Sequence, residues 1–267
     1  MAEPKCRCAR EHRTPSMNDQ QQFRCLVLGG SGSLGRVLCQ ALAAEGARVA
    51  FTYHTGTAAA AELLEKLPGG TALPLDVSSV VHVDRTVDQV AAEFGGIDAL
   101  VQCTAICISP GDPVRPDSVQ RLEDISESGW DQLMAVNVKG TFFACRRVVR
   151  YTRPNGGGNI VLTGSINAVK PLPSPVVYAT SKAALIGMTQ TMAKELGPHN
   201  IRVNLVAPGV MEEGVSQTLP EHLQQEYVKH CGLRRLAKVP EIASVVAWLA
   251  RHNTYVTAQT ILVDGAL

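Results

Sequence analysis

The fold is decided by the stretch RCLVLGGSGSLGRVLCQALAAEGARVAFTY, residues 24–53. Its first five residues form a short apolar run typical of a buried strand. From residue 33 to 46 the apolar residues recur at helical spacing, at 34, 37, 38, 41 and 42. A second strand-like run follows at 47–53. A helix between two buried strands is the usual connection between parallel strands, so the stretch predicts a βαβ unit.

The same alternation continues to the end of the chain. We predict further strands at 71–77, 97–103, 159–165, 201–209 and 260–265, and helices at 58–67, 79–94, 126–153, 176–196 and 241–250. Right-handed crossovers return each strand to the same sheet and place helices on both faces. No linker divides residues 23–267. The sequence therefore predicts one doubly wound, Rossmann-type α/β domain with a seven-stranded parallel sheet flanked by helices.

The composition excludes several classes of protein. The 267 residues are 45% hydrophobic with a formal net charge of +1, which leaves no basic footprint for nucleic acid or for a membrane surface. The longest apolar runs, such as 245–250, are too short to span a bilayer. Residues 1–22 are polar and lack the apolar core of a secretory signal, so we expect a disordered N-terminal extension, with Met17 a possible start, and a cytoplasmic protein.

Eight cysteines are present, most of them inside apolar stretches, which indicates reduced thiols rather than a disulfide framework. The segment CRCAREH at 6–12 offers Cys6, Cys8 and His12 as zinc ligands. A fourth ligand is missing nearby, and structural zinc sites almost always have four. We therefore expect no metal site.

The glycine-rich turn after the first strand has the context of a dinucleotide site, because it leaves a strand and opens a helix. Glycines let the main chain approach phosphate oxygens, and a helix N-terminus presents free N–H groups and a positive dipole end. The alternative is a tight turn without a ligand. On the first interpretation the contacts come from Gly29, Ser31, Gly32, Ser33, Leu34 and Gly35.

The end of the second strand bears on the choice of cofactor. An NAD site usually carries a carboxylate there for the ribose hydroxyl, and residues 51–57 contain none. His54 and Thr55 can contact a 2′-phosphate instead, so NADP(H) is favoured over NAD(H), although the loop has no arginine. Asp76, followed by Val77, is placed either to meet the adenine amino group or to cap the helix at 79–94.

Five motifs occur in the order and spacing of the short-chain dehydrogenase/reductase family, which the chain resembles over residues 23–267. They are GGSGSLG (29–35), VNVKG (136–140), LTGS (162–165), YATSK (178–182) and VNLVAPG (203–209). The C-terminal part is most similar to the 3-oxoacyl-(acyl-carrier-protein) reductase branch. A homotetramer or homodimer packed through the helices at 126–153 and 176–196 and through the last strand is implied by this resemblance.

The resemblance implies a catalytic set of Asn137, Ser165, Tyr178 and Lys182. Reducing a ketone requires a proton as well as a hydride, and a tyrosine can donate it if its pKa is lowered. A lysine cation one helical turn away favours the phenolate, so we expect Lys182 to depress the pKa of Tyr178; the family also uses this lysine to reach the nicotinamide ribose.

Ser165 is positioned to hydrogen-bond the carbonyl oxygen, and Asn137 is expected to bend its helix and hold a water. Taken singly, the residues have plainer readings: Asn137 as a helix-interior polar residue, Ser165 as a cap, and the Tyr–Lys pair as a surface contact.

The chain departs from the family's pattern in three places. Ser33 replaces the middle glycine of the first turn, where it can still cap the helix, and Leu28 replaces a threonine. QCTA at 102–105 replaces the family's NNAG, so we expect Cys103 and Thr104 to contact the nicotinamide ribose.

The third departure follows Pro208 and Gly209, where Glu212 and Glu213 occupy the region of a family threonine. Carboxamide recognition is then expected from the main chain, with Val210 against the nicotinamide ring.

Residues 106–125 are longer than usual for the family by about ten residues, and their prolines predict an irregular loop. With 166–177 and the lid-like stretch 210–232, this insertion is expected to shape substrate choice, so that deleting 109–118 shifts substrate preference and not cofactor affinity. The predicted activity is NADPH-dependent reduction of a ketone to a secondary alcohol, on a 3-oxoacyl thioester or a polyketide-like carbonyl substrate. The alternatives are an NAD-dependent secondary alcohol dehydrogenase and a non-catalytic dinucleotide-sensing protein.

Overall fold

The computed structural model describes residues 22–115 and 118–267. They form one parallel sheet of seven strands in the order β3-β2-β1-β4-β5-β6-β7, which confirms the predicted fold class. The strands are β1 (Arg24–Leu28), β2 (Arg48–Tyr53), β3 (Thr71–Pro74), β4 (Ala99–Gln102), β5 (Gly158–Thr163), β6 (Ile201–Pro208) and β7 (Thr260–Val263).

Helices cover both faces of the sheet. They are α1 (Ser33–Ala44), α2 (Thr57–Leu64), α3 (Val80–Phe94), α4 (Glu127–Met134), α5 (Gly140–Thr152), α6 (Val176–Leu196), α7 (Glu221–His230) and α8 (Val239–Arg251). A π-helical turn, Ala135–Lys139, joins α4 to α5, so the long helix predicted at 126–153 is continuous. Helix α7 was not predicted; it lies in the stretch treated as a lid. No helix within the described ranges is long and apolar enough to cross a membrane.

The core consists of two layers separated by the sheet. Alternate residues of β1 face opposite sides, with Leu26 and Leu28 in the layer under α3, α5 and α6, and Cys25 and Val27 in the layer under α1 and α8. All five residues of β1 are buried, as expected for a central strand of a parallel sheet. Burial of each large aliphatic side chain contributes about 2 kcal/mol, so the two layers fix the strand order firmly.

The topology places a crevice beside β1. This strand pairs with β2 on one side and with β4 on the other, so the chain winds in opposite directions from this point. Ligands of doubly wound sheets bind at such a switch point, beyond the carboxyl ends of the strands. The loops that follow β1, β4, β5 and β6 all begin at that edge.

The six cysteines that the structure describes are all free thiols: Cys25, Cys39, Cys103, Cys107, Cys145 and Cys231. The described residues contain no group of three or more potential metal ligands. Cys6, Cys8, His12 and the rest of the N-terminal extension lie outside the described residues.

Candidate active site

A cavity of about 740 Å³ lies at the carboxyl edge of the sheet, beside β1. Its walls come from the turn after β1, the loops after β4, β5 and β6, and α7. Most of the residues predicted for the cofactor or for catalysis line it: Gly29, Gly32, Ser33, Leu34, Gly35, Cys103, Ser165, Tyr178, Lys182, Pro208, Gly209 and Val210. The fold therefore brings four of the five motifs to one crevice, whereas Asn137 and the rest of VNVKG do not line it.

The glycine-rich turn is packed too tightly for side chains. A Cβ on Gly30 would overlap Phe51, and one on Gly35 would overlap the carbonyl of Gly29. Gly29 has a φ of +77°, and a Cβ there would lie 2.9 Å from Oγ1 of Thr104. These close contacts leave the main chain as the surface of the turn, which is the arrangement that a pyrophosphate requires.

The N-terminus of α1 opens toward the same cavity. Gly32, not Ser33, is the N-cap residue, and no side chain caps the helix. The expectation that Ser33 caps α1 is therefore wrong, because Ser33 is already the first helical residue and its hydroxyl lies against Gly214 instead. The uncapped N–H groups and the helix dipole make this end of α1 fit a phosphate group.

Six of the residues predicted for the cofactor lie outside the cavity: Ser31, His54, Thr55, Asp76, Val77 and Thr104. His54 and Thr55 are exposed at the end of β2. The Asp76 carboxylate accepts hydrogen bonds from the main-chain N (3.0 Å) and the hydroxyl (2.6 Å) of Ser78, which lowers its pKa.

Ser79, not Asp76, is the N-cap of α3, since its hydroxyl accepts from the N–H of His82 (3.4 Å). The capping interpretation of Asp76 is therefore wrong, because the chain turns three residues later than that interpretation requires. The adenine contact of Asp76 stays a prediction.

Tyr178 and Lys182 lie one turn apart at the start of α6, and both are buried. The ammonium of Lys182 is 5.8 Å from the centre of the Tyr178 ring and donates to the carbonyl of Thr163 at the end of β5 (2.8 Å). This buried lysine is held by the sheet, so the surface-contact reading of the Tyr–Lys pair does not apply.

Ser165 has two roles in its local structure. Its hydroxyl caps a short 3₁₀ turn, donating to Oδ1 of Asn167 (2.9 Å) and accepting from the N–H of the same residue (3.2 Å). It also lies close enough to the Tyr178 hydroxyl to lower the pKa of that phenol. The capping interpretation is therefore confirmed, and it is compatible with the catalytic role of Ser165, which stays a prediction.

Burial is the main influence on the pKa of both Tyr178 and Lys182. It raises the pKa of the Tyr178 phenol well above its usual value, with the nearby Cys107 thiol acting in the same direction. It lowers the pKa of Lys182 to about 8, against a smaller opposite effect of the thiols of Cys103 and Cys107. The expected depression of the Tyr178 pKa is therefore not found, because burial of the phenol disfavours its charged form. Tyr178 is held as a neutral phenol, which is a hydrogen-bond donor.

Asn137 is buried in the π-helical turn and anchors the loop after β4. Its Oδ1 accepts from the N–H of Ile106 (3.0 Å), and its Nδ2 donates to the carbonyl of Ile106 (2.9 Å) and to the Ser181 hydroxyl (3.0 Å). Ser181 in turn donates to the main-chain carbonyl of Tyr178 (2.7 Å). Asn137 therefore has specific partners on two other segments, unlike a plain helix-interior polar residue. No role was predicted for Ser181, although it lies within YATSK.

The loop after β6 is held over the cavity from two sides. Its Val210 carbonyl accepts from the N–H of Ala237 (3.0 Å), and the N–H of Val210 faces the Tyr227 hydroxyl. Glu213 forms an ion pair with Arg36 on α1 (2.5 Å). Both main-chain groups of Val210 thus have neighbours in the protein, so its expected contact with the nicotinamide carboxamide requires that one of them be shared.

A further set of mainly apolar residues lines the cavity and was not predicted residue by residue; we call it the outer half of the cavity. It consists of Cys107, Ile108, Val114, Val119, Pro171, Leu172, Val215, Leu219, Leu223 and Tyr227. The spacing of Leu223 and Tyr227 after Pro220 is a helical signal that would have revealed α7. The remaining residues lie in irregular loops without any periodic pattern.

Comparisons with known proteins agree with this geometry. A family profile described as enoyl-(acyl carrier protein) reductase matches residues 29–267. A 3-oxoacyl-(acyl-carrier-protein) reductase of Thermotoga maritima is 34% identical over 251 residues, 91% of this chain and 96% of that protein. A probable galactose dehydrogenase of Rhizobium meliloti is 32% identical over 251 residues, 91% of this chain and 93% of that one. The solved structure of a short chain dehydrogenase from Burkholderia cenocepacia in complex with NADP has a TM-score of 0.81 at 31% identity, covering 93% of this chain and 99% of that chain.

Proposed function

The chain belongs to the short-chain dehydrogenase/reductase family, and we propose that within this family it is an NADPH-dependent reductase that converts a ketone to a secondary alcohol. One observation carries the proposal: a buried neutral phenol, a hydroxyl and a buried ammonium line the same crevice as the glycine-rich turn. A phenol beside a turn that fits a pyrophosphate can donate a proton to a substrate that lies next to a bound dinucleotide. As an oxidoreductase, the chain requires such a cofactor.

The residues of the chain supply the proton and hold the reacting oxygen. The bound nicotinamide supplies the hydride. Ser165 and Tyr178 face one another across the cavity wall, so a carbonyl oxygen placed between them accepts a hydrogen bond from each once the Ser165 hydroxyl turns to it from Asn167. As negative charge develops on that oxygen, the Tyr178 phenol gives it a proton.

Lys182 stabilises the phenolate that remains after this step. With a pKa of about 8, it is mostly an ammonium near neutral pH. A charge within about 6 Å in a buried site interacts strongly with the phenolate. Asn137 holds the loop after β4 against α6, and thereby keeps Tyr178 and Lys182 in register with the cavity. A water held by Asn137 remains part of the proposal.

The choice of NADP(H) rests on the end of β2. The absence of a carboxylate from residues 51–57 removes the usual partner of the NAD ribose, and His54 and Thr55 are exposed there. The related Burkholderia cenocepacia structure is described with NADP. Because no lysine or arginine lies in this loop, NAD(H) is the competing cofactor. Dissociation constants for NADPH and NADH decide between them, and tighter binding of NADH would contradict the proposal.

The proposed substrate is a 3-oxoacyl thioester or a polyketide-like ketone, supported by the 3-oxoacyl reductase among the relatives and by the apolar outer half of the cavity. The relationship to a probable galactose dehydrogenase favours one further candidate, a dehydrogenase that oxidises a secondary alcohol with NAD. Oxidation of alcohols and reduction of ketones are therefore measured side by side.

The test is NADPH oxidation against acetoacetyl thioesters, decalones, quinones and small diketones. We expect turnover of at least one ketone class, with slower alcohol oxidation at neutral pH. Tight NADPH binding without turnover of any ketone or alcohol would support a dinucleotide-sensing protein and contradict the proposed activity.

We also propose a cytoplasmic homotetramer or homodimer packed through α4, α5 and α6 and through β7. Large apolar side chains are exposed on these helices, namely Trp130, Phe142 and Val176, and exposed apolar patches mark association surfaces. Light scattering after gel filtration measures the mass directly. A monomer at micromolar concentration would contradict this part of the proposal.

A further inference from the structure

The charged side chains of the cavity wall are largely neutralised within the protein. Besides Lys182, the described residues contribute four: Arg115, Lys170, Glu226 and His230. Arg115 pairs with Asp124 through two short contacts (2.5 and 2.7 Å), and Lys170 pairs with Asp264 (2.8 Å). Glu226 and His230 face each other at 3.5 Å.

The rest of this wall is mainly apolar, with Val114 and Val119 from the insertion, Leu172 and Leu219 from other loops, and Leu223 from α7. An ionic substrate would have to compete with an existing partner for each of these side chains. The outer half of the cavity therefore fits an uncharged, mostly apolar molecule.

Gln120 is a polar residue of this wall whose hydrogen-bonding capacity is not fully used. It lies in the insertion, lines the cavity and is only 2% exposed. Its Nε2 donates to the Asp112 carboxylate (3.3 Å), but its Oε1 accepts no hydrogen bond from any described residue. Leaving a buried acceptor unpaired costs about 1–3 kcal/mol, so such groups are rare and call for a specific reason.

The orientation of the Gln120 amide follows from its neighbours. A carboxylate only accepts hydrogen bonds, so the NH₂ group of Gln120 must face Asp112 and the carbonyl must face away. The other oxygen of Asp112 accepts from the Ser126 hydroxyl (2.6 Å), and Ser126 is the N-cap of α4. A chain of hydrogen bonds from the start of α4 thus holds the amide with its acceptor unused.

We propose that Gln120 determines specificity: its Oε1 accepts a hydrogen bond from a hydroxyl or amide N–H on the substrate. This inference rests on the proposed ketone reduction and narrows the substrate class to an uncharged, mostly apolar ketone that carries one such donor. Because Oε1 is itself covered, the donor reaches it when neighbouring side chains of the wall shift on binding. A ketone without the donor leaves the acceptor unpaired and gains nothing from this contact.

The experiment compares two tetralones that differ only in carrying a hydroxyl or a methoxy group at the same ring position, which keeps size and shape similar and removes the donor. We expect the wild type to favour the hydroxy compound about 10-fold in kcat/KM and in affinity, the usual value of one hydrogen bond. Gln120→Met keeps the length of the side chain without the acceptor. It should bring both ratios to about 1 by lowering kcat/KM and affinity for the hydroxy compound only.

A second arm distinguishes the source of the donor. The acetoacetyl thioester of N-acetylcysteamine carries an amide N–H, and its N-methylated analogue does not. A preference in this pair that Gln120→Met removes identifies an amide donor, whereas a preference confined to the tetralones identifies a hydroxyl.

Gln132→Met on the exposed face of α4 is the matched control and should leave every ratio unchanged. Gln120→Met should also leave NADPH affinity within about twofold, since the hydrogen bond of this side chain is to Asp112 in the insertion and not to the glycine-rich turn. Ratios that are the same in the wild type and Gln120→Met, or an equal loss for both members of each pair, would overturn the proposal. Ketone binding without turnover would contradict the proposed activity, while the affinity ratios would still decide the role of Gln120.

Discussion

The two sides of the cavity are built in different ways. The catalytic wall, formed by Ser165, Tyr178 and Lys182, is attached to β5 and α6, and its lysine is hydrogen-bonded to the end of a strand. The substrate wall, formed by residues 106–115, 118–120 and 210–230, consists of irregular loops, a 3₁₀ turn and the short helix α7. It is held by side-chain contacts such as the Arg115–Asp124 and Arg36–Glu213 ion pairs. On the proposed function, the residues that carry out the reaction lie on rigid elements, and those that select the substrate lie on loops that can vary without moving them.

The largest expected effect comes from the catalytic wall. Tyr178→Phe removes the phenol oxygen and keeps the ring packing, so we expect kcat to fall by about 10³-fold or more. NADPH affinity should stay within about twofold, since the hydroxyl is not needed to hold the phosphates. Steady-state kinetics and NADPH titration measure both quantities. Activity that survives this substitution would show that another group donates the proton.

The next largest effect tests the turn that both walls share. In Gly35→Ala the new methyl group overlaps the carbonyl of Gly29, so α1 and the turn must separate. We expect roughly 100-fold weaker NADPH binding, since small displacements of a preorganised site have effects of this size.

Gly187→Ala is the control for this prediction, because a Cβ there meets nothing within 4 Å and the residue is helical. It should leave cofactor affinity unchanged and stabilise α6 slightly. Equal effects of the two substitutions on affinity would contradict the close-packed turn.

The third prediction concerns the stability of the catalytic wall. Burial lowers the pKa of Lys182 from 10.5 to about 8, so the unfolded chain binds more protons than the folded one between these values. The contribution of Lys182 to the free energy of unfolding is therefore fully present above the pKa that it has in the unfolded chain. It is lost as the pH falls through the pKa that it has in the folded protein. Lys182→Met removes this titrating group, so the variant does not gain stability between these pH values as the wild type does. The free energy of unfolding of the variant minus that of the wild type should therefore fall by on the order of 2 kcal/mol from about pH 7 to about pH 10.

Urea unfolding at a series of pH values measures this difference, without nucleotide present. Lys194→Met, on an exposed part of the same helix, should show no such trend. A pH-independent difference for Lys182→Met would mean that the lysine is not desolvated in the folded protein.

The regular elements were predictable because burial imposes a period on them. Helix α6 has the bounds 176–196 that its pattern predicts, and all seven strands were located, although β3 ends at Pro74 rather than at residue 77. Helix α7 was missed because its apolar face is short, and prolines and glycines nearby favoured a loop. Three motifs reached the same crevice because each lies at the carboxyl end of a strand, and YATSK reached it from the start of α6.

Local detail was less predictable, since it depends on three-dimensional surroundings. Ser33 and Asp76 were each expected as possible caps, yet the caps are Gly32 and Ser79, a choice made by where the backbone turns. The pKa of Tyr178 changes in the opposite direction to the expectation because the depth of burial cannot be read from a Tyr–Lys spacing. The unpaired acceptor of Gln120 has no sequence signal of any kind.

The smallest effect is expected from a change in the substrate wall. This change tests most directly whether the two walls have separate roles. Ser109 donates to the carbonyl of Gly129 (2.6 Å) and Asp112 accepts from Ser126, so deletion of 109–118 would also remove these anchors of α4. Replacing only 113–118 with a glycine–serine turn keeps both anchors and removes Val114 from the cavity wall. We expect relative kcat/KM between bulky and small ketones to change about 5- to 10-fold, the value of one or two lost apolar contacts, with NADPH affinity unchanged.

Arg115→Gln, which opens the ion pair but keeps the loop, should produce part of this change. If relative rates across the ketones stay the same while turnover falls uniformly, the insertion supports the catalytic wall rather than selecting substrates, and the division of labour between the two walls is wrong.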